Sequence, residues 1–116
     1  MLIMTEQKEA DMLNWFPDLY ITDAAHRDSD KVIEKLNKGK FVPSRYLVTL
    51  ASNPADQLDL VSTVWLKQEQ CARHLPPVIG IAASRADAVN LVIRITEECL
   101  AETGTTDLRS YVKSRR

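Results

Sequence analysis

Cysteine is scarce in this chain, whose 116 residues contain only Cys71 and Cys99. Two cysteines are too few for the disulfide framework of a small secreted domain. The amino terminus runs from Met1 into acidic residues instead of continuing as an apolar signal segment. No stretch approaches the roughly 20 consecutive apolar residues of a membrane span. We therefore expect a cytoplasmic protein with no membrane partner.

The chain also lacks an excess of charge of either sign. Lys and Arg number 15 against 16 acidic residues, a net charge of −1 that supplies no global field to attract nucleic acid or an anionic surface. We interpret the basic tail of Lys113, Arg115 and Arg116 as a solvated terminus. Nucleic-acid binding normally needs a clustered basic face, so we do not expect it.

Recognisable chemical motifs are missing as well. Cys71 and His74 stand three positions apart, a spacing that can place two ligands on one metal or pair a thiol with a base. Two ligands do not make a metal site, and no third orienting residue or oxyanion donor can be named. We expect no metal, no cofactor and no catalytic residues, and we favour a non-enzyme while leaving that question open.

The length and composition of the chain predict one globular domain over residues 1–116, which can bury roughly 65% of its unfolded surface. Its clearest element is the apolar run from Val78 to Ala83, typical of a strand covered on both faces. Ser84 is a favoured N-cap residue, and Asp87 places a carboxylate near the positive end of the helix that follows. Gly104 predicts where that helix ends.

The apolar arc of this helix is wider than the roughly 100° that is usual for a surface helix. Its apolar residues form two adjacent lines, which Leu91 widens: Ala86, Val89, Ile93 and Leu100, and Ala88, Val92, Ile95 and Cys99. A single sheet packed against this helix would not bury both lines of apolar residues. Either a second helix of the same chain packs beside it, or a second subunit covers part of it. The candidate interface residues are Leu91, Ile95 and Cys99.

Sequence patterns predict further elements on the amino-terminal side. A first helix is expected from Thr5 to about Asn14, where the core anchors Trp15 and Phe16 precede Pro17. A strand follows at 19–22. The cluster 28–30 offers N-cap residues for a helix that ends at Gly39. Residues 45–51 predict a further strand.

The segment from Ala55 to Gln70 is ambiguous. Leu58, Val61 and Trp65 fit a helical face, yet the run 60–66 is rich in the β-branched residues of a strand. An ungapped alignment of residues 48–64 with residues 79–95 places Asn53 opposite Ser84. It suggests that each segment is one unit made of a strand, an N-cap residue and a helix. Chance similarity competes with this repeat, so it favours a helix over 54–68 only modestly. After Gly104, residues 105–112 predict an edge strand or a docked tail, with Leu108, Tyr111 and Val112 in contact.

Strands separated by helices predict an α/β fold, a small sheet of three to four strands with helices packed on it. The alternative is an α+β two-layer sandwich, which an antiparallel strand within 55–66 would favour. In an open α/β sheet, ligands bind beyond the carboxyl ends of the strands, where helix amino termini converge. The candidate residues for holding a phosphate or carboxylate at this edge are Ser52, Asn53, Ser84 and Arg85. Helix capping alone also explains Asn53 and Ser84.

Two functional hypotheses follow. The leading one is a small, non-catalytic interaction or oligomerisation module that forms a homo-oligomer or binds a protein partner. The alternative is binding of a small anionic ligand around Ser52, Asn53, Ser84 and Arg85. A composite site across subunits is compatible with either hypothesis.

Overall fold

The computed structural model of the protein describes residues 13–53, 55–67, 72 and 74–114. Within these ranges the chain forms a mixed four-stranded sheet with helices packed on it, which confirms the predicted fold class. The strands are β1 (Trp15–Ile21), β2 (Tyr46–Leu50), β3 (Leu58–Ser62) and β4 (Val78–Ala82). The helices are α1 (Asp23–His26), α2 (Ser29–Asn37), α3 (Arg85–Thr103) and α4 (Leu108–Ser114), with a 3-10 helix at Thr63–Lys67.

The sheet has the order β1-β4-β2-β3, in which β4 runs parallel to β1 and antiparallel to β2. Two buried clusters lie on its opposite faces. One contains Ile79 and the inner side of α3, and the other contains Ile81 and the inner side of α2. Because both faces are covered, the central strand β4 is apolar throughout, as predicted.

The segment that was ambiguous between helix and strand is described over residues 55–67, where it corrects the modest preference for a helix. Leu58–Ser62 forms β3, which pairs antiparallel with β2, and Thr63–Lys67 continues as the 3-10 helix. The proposed internal repeat is therefore wrong at the level of structure. Asn53 starts a turn, since its Oδ1 accepts from the amide of Ala55 at 3.0 Å. β3 adds a second antiparallel pair to the mixed sheet, yet helices on both faces of the sheet distinguish it from a two-layer sandwich.

At the amino-terminal side, β1 begins at Trp15 instead of residue 19. Phe16 is buried, as expected of a core anchor, and the half-buried Trp15 donates from Nε1 to Asn37 Oδ1 at 2.5 Å. Pro17 is tolerated because β1 is an edge strand. Asn14 is not helical, and the rest of the predicted first helix lies outside the described residues. The predicted helix ending at Gly39 is confirmed as α2.

The ends of α3 are those predicted from sequence. Ser84 Oγ accepts from the amide of Asp87 at 3.1 Å, and Gly104 adopts the left-handed conformation that ends the helix. The segment 105–112 contains α4, not an edge strand, and its buried residues are the three expected to make contact: Leu108, Tyr111 and Val112. Among the described helices, none has the length and hydropathy needed to cross a bilayer.

Candidate interaction surface

Helix α3 has an inner face that belongs to the core of its own chain. Leu91, Ile95 and Cys99 are at most 2% exposed and pack in one cluster with β4 and α4. Their assignment as interface residues is thus corrected, because the fold buries them without a partner. Packing of α4 beside α3 accounts for part of the broad apolar arc, as the same-chain alternative predicted.

The other apolar line of α3 is not covered by the described chain. Val89, Ile93 and Leu100 are 38%, 50% and 51% exposed, and Ala86 is exposed on the same line. We call these four residues the outer stripe. Together with the half-buried Thr96, they recur at alternating intervals of three and four residues, the spacing with which one helix packs along another.

Polar contacts hold the rest of this layer in place. Asp87 Oδ2 accepts from the amide of Ala83 at 2.8 Å and from the hydroxyl of Thr22, which joins α3 to the end of β1. At the other end, Gln57 Nε2 donates to Thr106 O at 2.8 Å, and Arg109 donates to carbonyls of the 51–56 turn. The outer stripe is therefore presented on a helix that is joined to β1 near its amino end and followed by a segment bonded to the turn between β2 and β3.

Apart from Asp87, whose carboxylate is hydrogen-bonded to Ala83 and Thr22, the charged residues of α3 are divided by sign along its length. Arg85 and Arg94 lie in its first ten residues, and the glutamates Glu97, Glu98 and Glu102 lie in its last seven. Arg94 and Glu97 are both exposed. A second copy laid antiparallel would set the arginine half against the glutamate half, whereas a parallel copy would set like charges together.

A second exposed apolar surface surrounds the 3-10 helix. Trp65 and Val64 are 63% and 50% exposed, and Lys67 Nζ lies 5.2 Å from the ring centroid of the exposed Phe41. Trp65 also lines a groove of about 400 Å³ with Ser52 and His74. We call this the Trp65 surface. Among the described residues, every exposed large apolar side chain belongs to it or to the outer stripe.

The four residues of the predicted anion site do not converge. Since β2 and β4 are antiparallel, Leu50 lies beside Pro77 at the start of β4, and Ser52 and Asn53 follow at that end. Ser84 and Arg85 follow the opposite end of β4. The expectation that both strands point their carboxyl ends at one edge is wrong for this pair.

The parallel strands β1 and β4 do bring their carboxyl ends together, which the sequence patterns did not reveal. A depression of about 330 Å³ there is lined by Thr22, Asp23, Asp87 and Arg94, among others. Two carboxylates against one guanidinium make it a poor anion site. His74 is exposed, while Cys71 lies outside the described residues; in the ranges described, no group of three or more potential metal ligands occurs.

Comparisons of the chain with protein-family models, with curated proteins and with solved structures found no match. Function has to be inferred from the surfaces of the chain itself.

Proposed function

We propose that this protein is a non-catalytic association module that forms a homodimer through the outer stripe of α3. The observation that carries the proposal is the exposed line of Ala86, Val89, Ile93 and Leu100 at helix-packing intervals on a helix whose opposite face is fully packed. The buried free thiol of Cys99 favours a reducing compartment such as the cytoplasm.

The partner that fits this surface is a second copy of the same helix in antiparallel orientation. A two-fold axis near residues 94 and 95 would pack Val89 of each copy against Leu100 of the other, with Ile93 in between. The same alignment sets Arg94 of each copy near Glu97 of the other. A two-fold interface requires this kind of self-complementarity, because each contact occurs twice.

The size of the contact indicates moderate affinity. A helix of 19 residues is about 28 Å long and about 10 Å wide, so α3 alone covers less than the roughly 800 Å² per partner of a standard stable interface. We expect dissociation in the micromolar range, where exchange between monomer and dimer depends on protein concentration.

Sedimentation velocity over about 1 µM to 1 mM tests the proposal. We expect the wild-type chain to dimerise and Ile93→Glu to remain monomeric, since a charge at the centre of the contact is desolvated without a partner. Val64→Glu is the matched control, because Val64 and Ile93 are both 50% exposed but lie on different surfaces. A monomeric wild type at the highest concentration would overturn the proposal. So would a dimer that Val64→Glu breaks and Ile93→Glu spares, which would place the contact on the Trp65 surface.

A further inference from the structure

Basic side chains converge on a depression between α2 and the segment 42–45. The depression has a volume of about 300 Å³, and its lining includes Lys31, Lys35 and Arg45. Five of the fifteen Lys and Arg residues occur between positions 31 and 45, together with a single acidic residue, Glu34. The near-zero net charge of the chain hides this cluster.

The guanidinium of Arg45 is held in position at the wall of the depression. It donates from Nη1 to Ser44 O at 2.9 Å and pairs through Nη2 with Asp28 Oδ2. Ser44 has a φ of 59°, in the left-handed region that non-glycine residues rarely adopt. The backbone turns sharply at this point, and Ser44 and Arg45 both line the depression.

The two lysines lack such a counterion. Lys31 and Lys35 lie one turn apart on the same face of α2, and in the described chain the ion pair that forms is Arg45 with Asp28. Two like charges at this spacing repel each other by a few tenths of a kcal/mol. Because Asp28 offsets Arg45, the depression keeps two positive charges, which matches the charge of a phosphate dianion.

We propose that this depression binds the phosphate group of a small ligand. Lys31 and Lys35 balance its charge, while Arg45 and the hydroxyl of Ser44 supply hydrogen bonds to its oxygens. Val32 and Val42 form a buried apolar floor. A volume at the lower end of the range for small-molecule sites has room for the phosphate and a short organic part.

Inorganic phosphate and glycerol phosphate are the probes that test the site, by thermal unfolding and by titration calorimetry at constant ionic strength. We expect saturable stabilisation beyond that given by chloride. The double variant Lys31→Gln/Lys35→Gln should bind at least about tenfold more weakly, since it loses two charge-assisted contacts. Lys38→Gln/Lys40→Gln is the control, because it removes the same charge from residues that do not line the depression, and it should bind like the wild type.

Two results would overturn the proposal: stabilisation no greater than that of chloride, or binding that survives the Lys31/Lys35 change. If the double variant fails to fold, amide chemical shifts of the wild-type chain decide the matter. Phosphate should perturb the amides of Ser44 and Arg45, and perturbation elsewhere alone would contradict the assignment. Tighter binding of glycerol phosphate than of inorganic phosphate would identify a phosphorylated organic ligand, and equal binding would identify free phosphate; both results support the site.

Discussion

The hydroxyl of Tyr111 in α4 lies 2.6 Å from Glu98 Oε1 in α3, and the same oxygen accepts from the hydroxyl of Tyr20 in β1 at 2.7 Å. One carboxylate therefore connects three elements on one side of the sheet. Tyr20 and Tyr111 are both largely buried, so these hydrogen bonds are shielded from water. This contact joins α4 to α3 and joins both helices to β1.

Replacing Tyr111 by Phe should destabilise the fold by about 1–2 kcal/mol, because Glu98 and Glu102 both lose the hydroxyl they share. Tyr20→Phe is the companion variant, since it removes the hydrogen bond from Tyr20 to Glu98 without changing the hydroxyl of Tyr111. Urea denaturation measures both losses. Equal stability of Tyr111→Phe and wild type would show that the hydroxyl contributes nothing to docking of α4.

The same hydroxyl gives stability a dependence on alkaline pH. Burial raises the pKa of Tyr111, and hydrogen bonds to Glu98 and Glu102 raise it further. Below about pH 10 the folded and unfolded chains both hold the tyrosine neutral. Above that pH the unfolded chain ionises first, so stability falls by up to about 1.4 kcal/mol per pH unit. Wild type should lose stability more steeply than Tyr111→Phe in this range, and parallel pH curves would contradict the assignment.

Gly80 in β4 is required for close packing. A Cβ at this position would lie 2.9 Å from Tyr20 O and 3.0 Å from Leu91 Cδ2. Gly80→Ala should therefore cost about 2 kcal/mol, because a backbone oxygen has little freedom to move. Gly104→Ala separates this steric effect from a conformational one, since a Cβ there meets nothing within 4 Å but φ is +75°. We expect a loss of about 1 kcal/mol for Gly104→Ala. Thermal or chemical denaturation of both variants decides the order, and a larger loss at Gly104 would contradict it.

Arg109 fastens α4 to the turn between β2 and β3. Its Nη2 lies 2.8 Å from Ala51 O and 3.0 Å from Asp56 O. Arg109→Lys keeps the charge but loses the planar fork, so we expect it to restore little of the roughly 1–3 kcal/mol that Arg109→Ala removes. Hydrogen exchange should accelerate at the amide of Ala51, which donates to Gln57 O. Full rescue by lysine would show that charge alone matters.

The parts of the fold that sequence predicted depend on local signals. Ser84 and Gly104 mark the ends of α3 through capping and a left-handed turn, and β4 is recognisable because both of its faces are apolar. The strand β3 carries no such signal. Its five residues are all half-buried, and its state is decided by antiparallel pairing with the preceding strand β2, which the residues of β3 alone do not show.

The candidate surfaces show the same division between local and long-range information. The periodicity of α3 revealed both apolar lines, but which line faces the sheet depends on the position of α4 and of the strands. The sequence alone therefore does not show which of Leu91 and Ile93 is buried and which is exposed. The predicted anion site failed for a related reason, because its residues converge only if β2 and β4 are parallel. The Lys31, Lys35 and Arg45 cluster is invisible in a net charge and appears once α2 packs against 42–45.

The orientation of the proposed dimer can be tested by exchanging charges along α3. In an antiparallel pair, Arg94 of one copy faces Glu97 of the other, and the two-fold axis repeats the contact. Arg94→Glu or Glu97→Arg alone should weaken dimerisation by roughly thirtyfold, since each turns two attractions of about 0.5 kcal/mol into repulsions of similar size, a total change of about 2 kcal/mol. The double exchange Arg94→Glu/Glu97→Arg restores opposite charges across the axis and should recover most of the affinity. Both residues belong to one helix, so denaturation of each variant at low concentration must first show that the monomer is unaffected. Failure of the double exchange to recover binding, in variants of normal stability, would exclude the antiparallel arrangement while leaving the Ile93 contact itself intact.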